Sequence, residues 1–280
     1  MPFTISHIAA VLPGQRPLRR LGLMSAAIIG SMVPDFALLF PWPLSRAQTH
    51  GMLALLTFCL PTGLLAWAVF QALIKPAWSA VFPDAWRLRL LAEHPEVRIT
   101  RWRVWVGAAA AIVGGAVTHL VWDGFTHEDG RGVRMLPFLD DAGPDIAGHV
   151  LPLYRWLQHG SSVVGLGVVI WAAWRWTRAA HRARAVAPSQ HGSVPAGVAP
   201  VGLSRTERRG WFAAYVGLPL CVLVLALLWR VHQFAAVFSI TGETTRLAYL
   251  GLRSSCLALL GISVLIRLRL GALARSRLDA

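Results

Sequence analysis

Two histidines and an aspartate recur at four-residue intervals in the segment THLVWDGFTHEDG, residues 118 to 130. They are His119, Asp123 and His127, and the stretch before them is strongly apolar. In an α-helix, positions i and i+4 lie on one face, so His119 and Asp123 can bind the same ion. A carboxylate in a transmembrane helix costs about 2.5 to 3.5 kcal/mol. A bound cation would offset that cost.

Two further ligand-type residues are expected at the same depth. Asp35 lies near the outer end of an apolar segment, and His50 lies at the outer start of the next one. Imidazole and carboxylate groups are ligands of zinc, the first choice here, or of manganese or iron. Such sites commonly keep an open position for water, whose lowered pKa makes it a nucleophile for hydrolysis. The pattern therefore indicates one divalent metal ion, or two, at this end of the helices.

Each of these residues also has a simpler interpretation. His119 could be a hydrogen-bonded packing residue, and Asp123 could cap a helix end. His50 could be solvated in a turn, and Asp35 could mark only a helix break after Pro34. The shared depth of these residues favours the metal site, because independent roles do not predict a common plane.

Candidate acid–base groups flank the expected site. His127 and Glu128 lie just beyond the metal motif, where a general acid or base would be needed. His159 begins a later apolar segment on the same side and could be a ligand, an acid or base, or a water-exposed interfacial residue. Arg253 lies inside the last apolar segment. It could bind an anionic substrate group or extend its charge to the interface.

The composition excludes an ordinary soluble domain. Of the 280 residues, 55% are hydrophobic and 14% charged, and the mean hydropathy is +0.54; soluble domains carry about 25% charged residues. We predict an all-α, polytopic transmembrane helical bundle with about six membrane helices. The net charge of +14 does not indicate nucleic-acid binding, because the arginines lie between apolar segments. The expected membrane helices cover residues 21–40, 52–74, 104–123, 160–174, 211–229 and 247–266.

The distribution of basic residues predicts the orientation. With six spans, the arginine clusters fall on one side, which the positive-inside rule makes cytoplasmic. We therefore expect a multi-pass protein of the bacterial inner membrane with both termini in the cytoplasm and the metal site at the extracytoplasmic face. The sequence leaves the oligomeric state open. The predicted divisions are a site-bearing membrane domain at 1–176, a flexible basic linker at 177–210 and a C-terminal helical hairpin at 211–280.

A set of ordered motifs resembles a known family. TISHIAAVLP, IIGSMVPDF, QTHG, THLVWDGFTHEDG and LPLYRWLQHGSS, within residues 1 to about 176, resemble the DUF4184 family of bacterial membrane proteins. That family is similar to the DUF457-type inner-membrane metal-dependent hydrolases. The resemblance implies a ligand set that also includes an N-terminal histidine; the full set is His7, Asp35, His50, His119 and Asp123.

Two departures from the wider family pattern bear on the site. Ala37 stands where a second aspartate is common, and SRAQTHG replaces a His-Arg-Gly sequence before the Thr-His motif, which puts a second metal ion in doubt. Counting of spans places His7 on the cytoplasmic side. Either residues 3–13 form a short N-terminal re-entrant or amphipathic helix packed against the site, or His7 is not a ligand.

These features lead to one main functional hypothesis and two alternatives. The first is a membrane hydrolase acting on a lipid-linked or envelope ester, phosphoester or amide, with the lipid bilayer and a lipid substrate as its partners. The second is a non-catalytic scaffold with a structural metal. The third is a metal or ion transporter, which the scarcity of polar residues in the inner halves of the predicted spans disfavours.

Overall fold

The computed structural model describes residues 4–39, 44–82, 86, 100–146, 149–186, 203–234 and 242–278. The predicted helical class is confirmed, since helices account for most of these residues. Three arginines of the predicted cytoplasmic clusters, Arg87, Arg89 and Arg98, lie outside the described residues, as do residues 187–202 of the predicted linker. The helices are α1 Ile8–Val11, α2 Gln15–Arg20, α3 Met24–Met32, α4 Arg46–His50, α5 Leu55–Val81, α6 Trp102–Thr126, α7 Arg131–Met135, α8 Leu153–Val186, α9 Arg205–Phe234 and α10 Gly242–Leu278.

Three helices in the described part of the chain are long and apolar enough to cross a membrane. They are α5, α6 and the Arg253–Arg275 part of α10, and the Met24–Leu38 helix is apolar but shorter. The expectation of about six spans is therefore not confirmed. The predicted span at 160–174 is only 15 residues long and lies inside α8, a helix that continues through residues 177–186 of the predicted linker. The predicted span at 211–229 lies within α9.

A small antiparallel sheet follows the 3-10 turn Pro137–Asp140 and was not predicted. Strand β1, Ala142–Ile146, pairs with β2, His149–Pro152, with Asp145 opposite Val150 and an irregularity between Ala142 and Asp145. The segment lacks the regular alternation of apolar and polar residues that signals a strand. Its pairing was therefore not readable from the sequence.

The N-terminal residues form a series of short helical turns. A 3-10 turn at Thr4–His7 leads into α1, a second at Leu12–Gly14 leads into α2, and α1 packs on α3 and α6. Gly22 turns the chain from α2 into α3 with a φ of 71°, a left-handed conformation that favours glycine. This arrangement brings residues 4–7 to the end of α3 that carries Asp35.

Helices α3 and α6 approach each other closely through two glycines. A Cβ atom at Gly115 would fall 2.7 Å from the backbone nitrogen of Ser31, and one at Gly30 would fall 2.7 Å from the Cα of Ile112. Neither position has room for a side chain, so backbone lies against backbone. Asp35, five residues after Gly30, and His119, four after Gly115, are held at the same end of this helix pair.

The chain folds into two units, each with a hydrophobic core of its own. The first contains residues 1–37, 42–68 and 93–179, and a core cluster that includes Val33, Phe58 and Ala116. The second contains residues 38–41, 69–92 and 180–280, and a core cluster that includes Tyr215, Ile262 and Ile266. All of the predicted metal ligands belong to the first unit. The division of the chain at residues 176 and 211 stays a prediction.

Candidate metal centre

Four separate segments deliver the five predicted ligands to one buried cluster. His7 ends the first 3-10 turn, and Asp35 lies in the 3-10 segment Val33–Leu39 that continues α3. His50 is the last residue of α4, and His119 and Asp123 are one turn apart on α6. His7, Asp35, His119 and Asp123 are at most 5% exposed, and the His50 side chain is 8% exposed.

The ligand atoms are separated by distances typical of groups that surround an ion. The Nε2 atom of His50 lies 3.3 Å from Asp35 Oδ1 and 3.5 Å from Asp123 Oδ2. The Nε2 atom of His119 lies 3.7 Å from Asp35 Oδ1 and 3.6 Å from Asp123 Oδ2. Two donors at tetrahedral positions around zinc, each about 2.0–2.2 Å away, are separated by roughly 3.3–3.6 Å. The observed spacing fits that arrangement.

Several of these atoms are buried without a hydrogen-bond partner among the described residues. They are Nε2 of His7, His50 and His119, and Oδ1 of Asp123. Burying such polar atoms without partners is costly. Their convergence fits a cation that would satisfy all of them at once.

Hydrogen bonds behind two of the imidazoles aim them at the cluster. His119 Nδ1 is 2.8 Å from the carbonyl oxygen of Ser31, to which it donates. The Thr49 hydroxyl donates to the Arg46 carbonyl at 3.3 Å, so it accepts from His50 Nδ1 at 2.7 Å. With Nδ1 protonated in both rings, the Nε2 lone pairs point into the cluster, as in metal-ligating histidines.

His7 contributes a third imidazole. Its ring stacks on His119 with centroids 3.8 Å apart, and its Nε2 lies 3.6 Å from Asp123 Oδ1. Burial and the adjacent His119 lower the pKa of His7 to about 4. The ring is therefore neutral near pH 7, which is the protonation state that binds a metal.

Two overlapping triads could each hold an ion, and they share one residue. The first is His7, His119 and Asp123, and the second is Asp35, His50 and His119. Since Ser31 occupies Nδ1 of His119, that ring has one nitrogen left to offer. One lone pair binds one ion, so the triads do not hold two ions independently.

Two polar side chains that sequence reasoning missed contact the carboxylates. Thr4 Oγ1 donates to Asp35 Oδ2 at 2.7 Å, and Arg46 Nη2 donates to Asp123 Oδ2 at 2.9 Å. Ser45 and Gln48 form a capping box that starts α4 and thereby positions Arg46. The pattern Ser-x-x-Gln is a readable capping signal and could have identified α4 from the sequence.

His127 lies against the cluster but has both ring nitrogens engaged. Arg155 donates to Gln158 Oε1 at 3.2 Å, which leaves Gln158 Nε2 to donate to His127 Nε2 at 3.3 Å. His127 Nδ1 then donates to the carbonyl oxygen of Asp123 at 3.2 Å. Desolvation and the nearby Arg46 guanidinium lower the pKa of His127 despite the opposing Asp123 carboxylate. The fully buried Gln158 was not predicted.

The other predicted functional residues lie at the periphery. Glu128 is exposed in the turn after α6, and His159 is exposed on α8 next to buried Gln158. Among the described residues, the structure gives neither side chain a contact with the five-residue cluster. Arg253 Nη2 donates to the carbonyl oxygen of Leu38 at 3.1 Å. Acid–base roles for His127, Glu128 and His159 stay predictions.

The comparisons with known proteins give one family assignment. The model of the family described as "Domain of unknown function (DUF4184)" matches residues 1–265. The match extends well past residue 176 and includes most of the predicted C-terminal hairpin at 211–280, in which the sequence shows no recognisable motif. No curated protein and no solved structure matches the chain. Because the match covers nearly the whole sequence, the chain belongs to the DUF4184 family.

Proposed function

We propose that this protein is an integral-membrane, metal-dependent hydrolase with one divalent cation held by His7, Asp35, His50, His119 and Asp123. The observation that carries the proposal is the convergence of five imidazole and carboxylate side chains from four segments, with atoms of four of these side chains buried without a hydrogen-bond partner among the described residues. Zinc suits this donor set best, with manganese or iron as alternatives.

The chemistry follows from the groups around the cluster. A divalent ion bound there would lower the pKa of a coordinated water toward about 7 and supply a nucleophile at neutral pH. Asp35 and Asp123 would neutralise the positive charge of the ion. The Arg46 guanidinium, which is 29% exposed, can bind an anionic oxygen of a substrate. His127, Glu128 and His159 remain the candidate acid–base groups.

The proposed substrate is a lipid-linked or envelope ester, phosphoester or amide. Two members of the cluster, His119 and Asp123, lie within the last two turns of α6, a helix apolar enough to span a membrane. A site at that depth is reached most directly from the bilayer or its interface. We place it at the extracytoplasmic face of the bacterial inner membrane from the distribution of the arginines.

The metal claim is tested by elemental analysis of the purified protein. Asp123→Ala should lower the metal content strongly, whereas Asp141→Ala should not, because Asp141 is exposed outside the cluster. Equal metal-to-protein ratios in the two variants would contradict the proposed ligand set. Hydrolysis is tested with the wild-type protein reconstituted in vesicles that contain radiolabelled diacyl phospholipid or polyprenyl phosphate.

A structural metal in a non-catalytic scaffold is the second candidate. Five donor residues exceed the three protein ligands common in catalytic zinc sites, and a site saturated by them would leave no position for water. In that case His119→Ala should impair folding while the biological function of any folded fraction survives. Loss of hydrolysis in a folded, metal-depleted His119→Ala variant would instead support the catalytic site.

A further inference from the structure

Helix α8 carries a stripe of exposed apolar side chains along one face. Val163 is 72% exposed and Trp171 is 53% exposed, and Val164, Ile170 and Trp174 are exposed beside them. At about 100° per residue, these five positions fall within roughly 120° around the helix axis. They therefore form one continuous apolar surface, which is called the α8 stripe below.

The opposite face of α8 packs against the N-terminal turn. A Cβ atom at Gly165 would fall 2.9 Å from the carbonyl oxygen of Ser6, and Ser6 is buried. Trp174 follows Gly165 by nine residues, which places the two positions about 180° apart around the helix. The close contact at Gly165 fixes the rotation of α8, so the α8 stripe faces away from the N-terminal turn.

Two arginines stacked on tryptophans lie at one end of the α8 stripe. The guanidinium carbon of Arg175 is 4.8 Å from the ring centroid of Trp171, and that of Arg178 is 4.2 Å from the ring centroid of Trp174. Both distances are within the range of cation–π interactions. Both arginines are exposed, and among the described residues neither has a hydrogen bond or an ion pair. Their N–H groups are therefore available to an anion.

The spacing of the two arginines suits a single phosphate group. Arg175 and Arg178 are three residues apart, and such positions are neighbours on a helix surface, with Cβ atoms about 5–6 Å apart. Each guanidinium presents a planar fork of N–H donors that matches the oxygens of a phosphate. Two forks at this separation can bind the same phosphate.

The length of the α8 stripe indicates that this phosphate belongs to a lipid. Val164 and Arg175 are 11 residues apart, which is roughly 16 Å along a helix. One leaflet supplies about half of a ~30 Å hydrocarbon core. The acyl chains of one leaflet would therefore cover the α8 stripe when the phosphate contacts the arginines, whereas a free phosphate would leave the stripe uncovered.

We propose that Arg175 and Arg178 bind the phosphate of an anionic phospholipid whose acyl chains lie on the α8 stripe. A zwitterionic lipid is disfavoured, because it brings a cationic group next to two arginines. The site is separate from the metal cluster. Gln158, which bonds to His127 beside that cluster, precedes Arg175 by 17 residues, or roughly 26 Å along α8. Binding at this site does not require the proposed hydrolase activity.

The test is a lipid titration of the purified full chain in detergent, measured by native mass spectrometry. The probes are phosphatidylglycerol and phosphatidylcholine with identical acyl chains, and the wild type should bind phosphatidylglycerol more tightly. Arg178→Gln should weaken this binding about fivefold, which is the effect of one basic residue near an anionic lipid surface. Trp174→Leu keeps both charges but removes the ring beneath Arg178, and it should also weaken the binding.

Arg131→Gln is the matched control. Arg131 is an exposed arginine at the start of α7, and among the described residues no tryptophan stacks on it. This variant should bind phosphatidylglycerol like wild type. Equal binding of the two lipids by the wild type, or an equal loss in Arg131→Gln and Arg178→Gln, would overturn the proposal. Complete displacement of the lipid by an excess of inorganic phosphate would also overturn it, because the α8 stripe would then contribute nothing.

Discussion

The Nε2 atom of His50 lies 3.3 Å from Oδ1 of Asp35, although the two residues belong to different helical segments of the chain. The first ends a five-residue helix that starts at a capping box, and the second lies in a 3-10 continuation of α3. The local sequences of these two segments do not bring them together. Their contact, with His119 and Asp123 beside it, shows that the tertiary fold assembles this cluster.

Asp35→Asn should weaken metal binding while preserving the shape of the side chain. The amide removes one negative charge and one strong donor for a divalent cation, so the affinity should fall by at least the 10–100-fold typical of losing an outer-shell partner. Titration against a competing chelator measures the change. Asp141→Asn, an exposed aspartate, should bind as wild type. An unchanged affinity in Asp35→Asn would remove this residue from the ligand set.

Ser45→Ala should loosen α4 and with it the positions of Arg46 and His50. The Ser45 side chain accepts from the Gln48 backbone nitrogen, and Gln48 Oε1 accepts from the Ser45 nitrogen at 2.8 Å. Loss of such a cap costs about 0.5–2 kcal/mol. We expect a lower metal affinity with retained overall helicity by circular dichroism. Ser45→Thr restores a capping hydroxyl and should recover most of the affinity; failure of this rescue would argue against the capping role.

Gly115→Ala should disturb the contact between α3 and α6 on which the cluster depends. The added methyl would lie 2.7 Å from the Ser31 backbone nitrogen, and overpacking of this kind costs about 1–3 kcal/mol. The carbonyl of the same Ser31 orients His119, so thermal stability and metal content should fall together.

Gly114→Ala is the control for that variant. A Cβ atom at Gly114 meets nothing within 4 Å, and alanine is favoured over glycine in a helix by about 1 kcal/mol. Its melting temperature should therefore equal or exceed that of wild type. A similar loss of stability in both alanine variants would indicate a general sensitivity of α6 and not a close helix contact.

The sequence carried much of the information about this site but little about its surroundings. Apolar length identified α5 and α6, and the i, i+4 spacing placed His119 and Asp123 on one face. The sequence left open on which side of the membrane His7 lies. Counting of helices does not reveal that the first turns of the chain pack against α3 and α6. Thr4 and Gln158 gave no signal, since a threonine or glutamine becomes part of a site only through contacts distant in sequence.

The expected number of about six membrane helices is not confirmed in the described residues, for a related physical reason. Residues 160–174 are apolar but short, and the same helix carries Arg155 and His159 before them and Arg175 after them. Hydropathy alone cannot distinguish such a segment from a span whose ends reach both interfaces. The count in the described residues is three candidate spans.

Gln158→Leu should change the tautomer of His127. Because His127 Nδ1 bonds to the Asp123 carbonyl, the change should also weaken metal binding. Gln158 is fully buried and donates to His127 Nε2, which fixes the proton on Nδ1 facing the Asp123 carbonyl. Leucine fills a similar volume but leaves the His127 nitrogen without its donor, a loss of about 1–3 kcal/mol. Metal affinity should fall about 10-fold, the lower end of the range for outer-shell partners.

The distinguishing readout for Gln158→Leu is the tautomer of His127, measured from nitrogen chemical shifts in protein labelled with ¹⁵N-histidine. The wild type should show a protonated Nδ1, and the variant should show a mixture of tautomers because only the Asp123 carbonyl, 3.2 Å from Nδ1, then favours one of them. His159→Leu alters the neighbouring exposed residue and should leave the His127 signals unchanged. If Gln158→Leu retained a single Nδ1-protonated signal together with wild-type metal affinity, the positioning role of Gln158 would be rejected, and the Asp123 carbonyl alone would suffice to orient the ring.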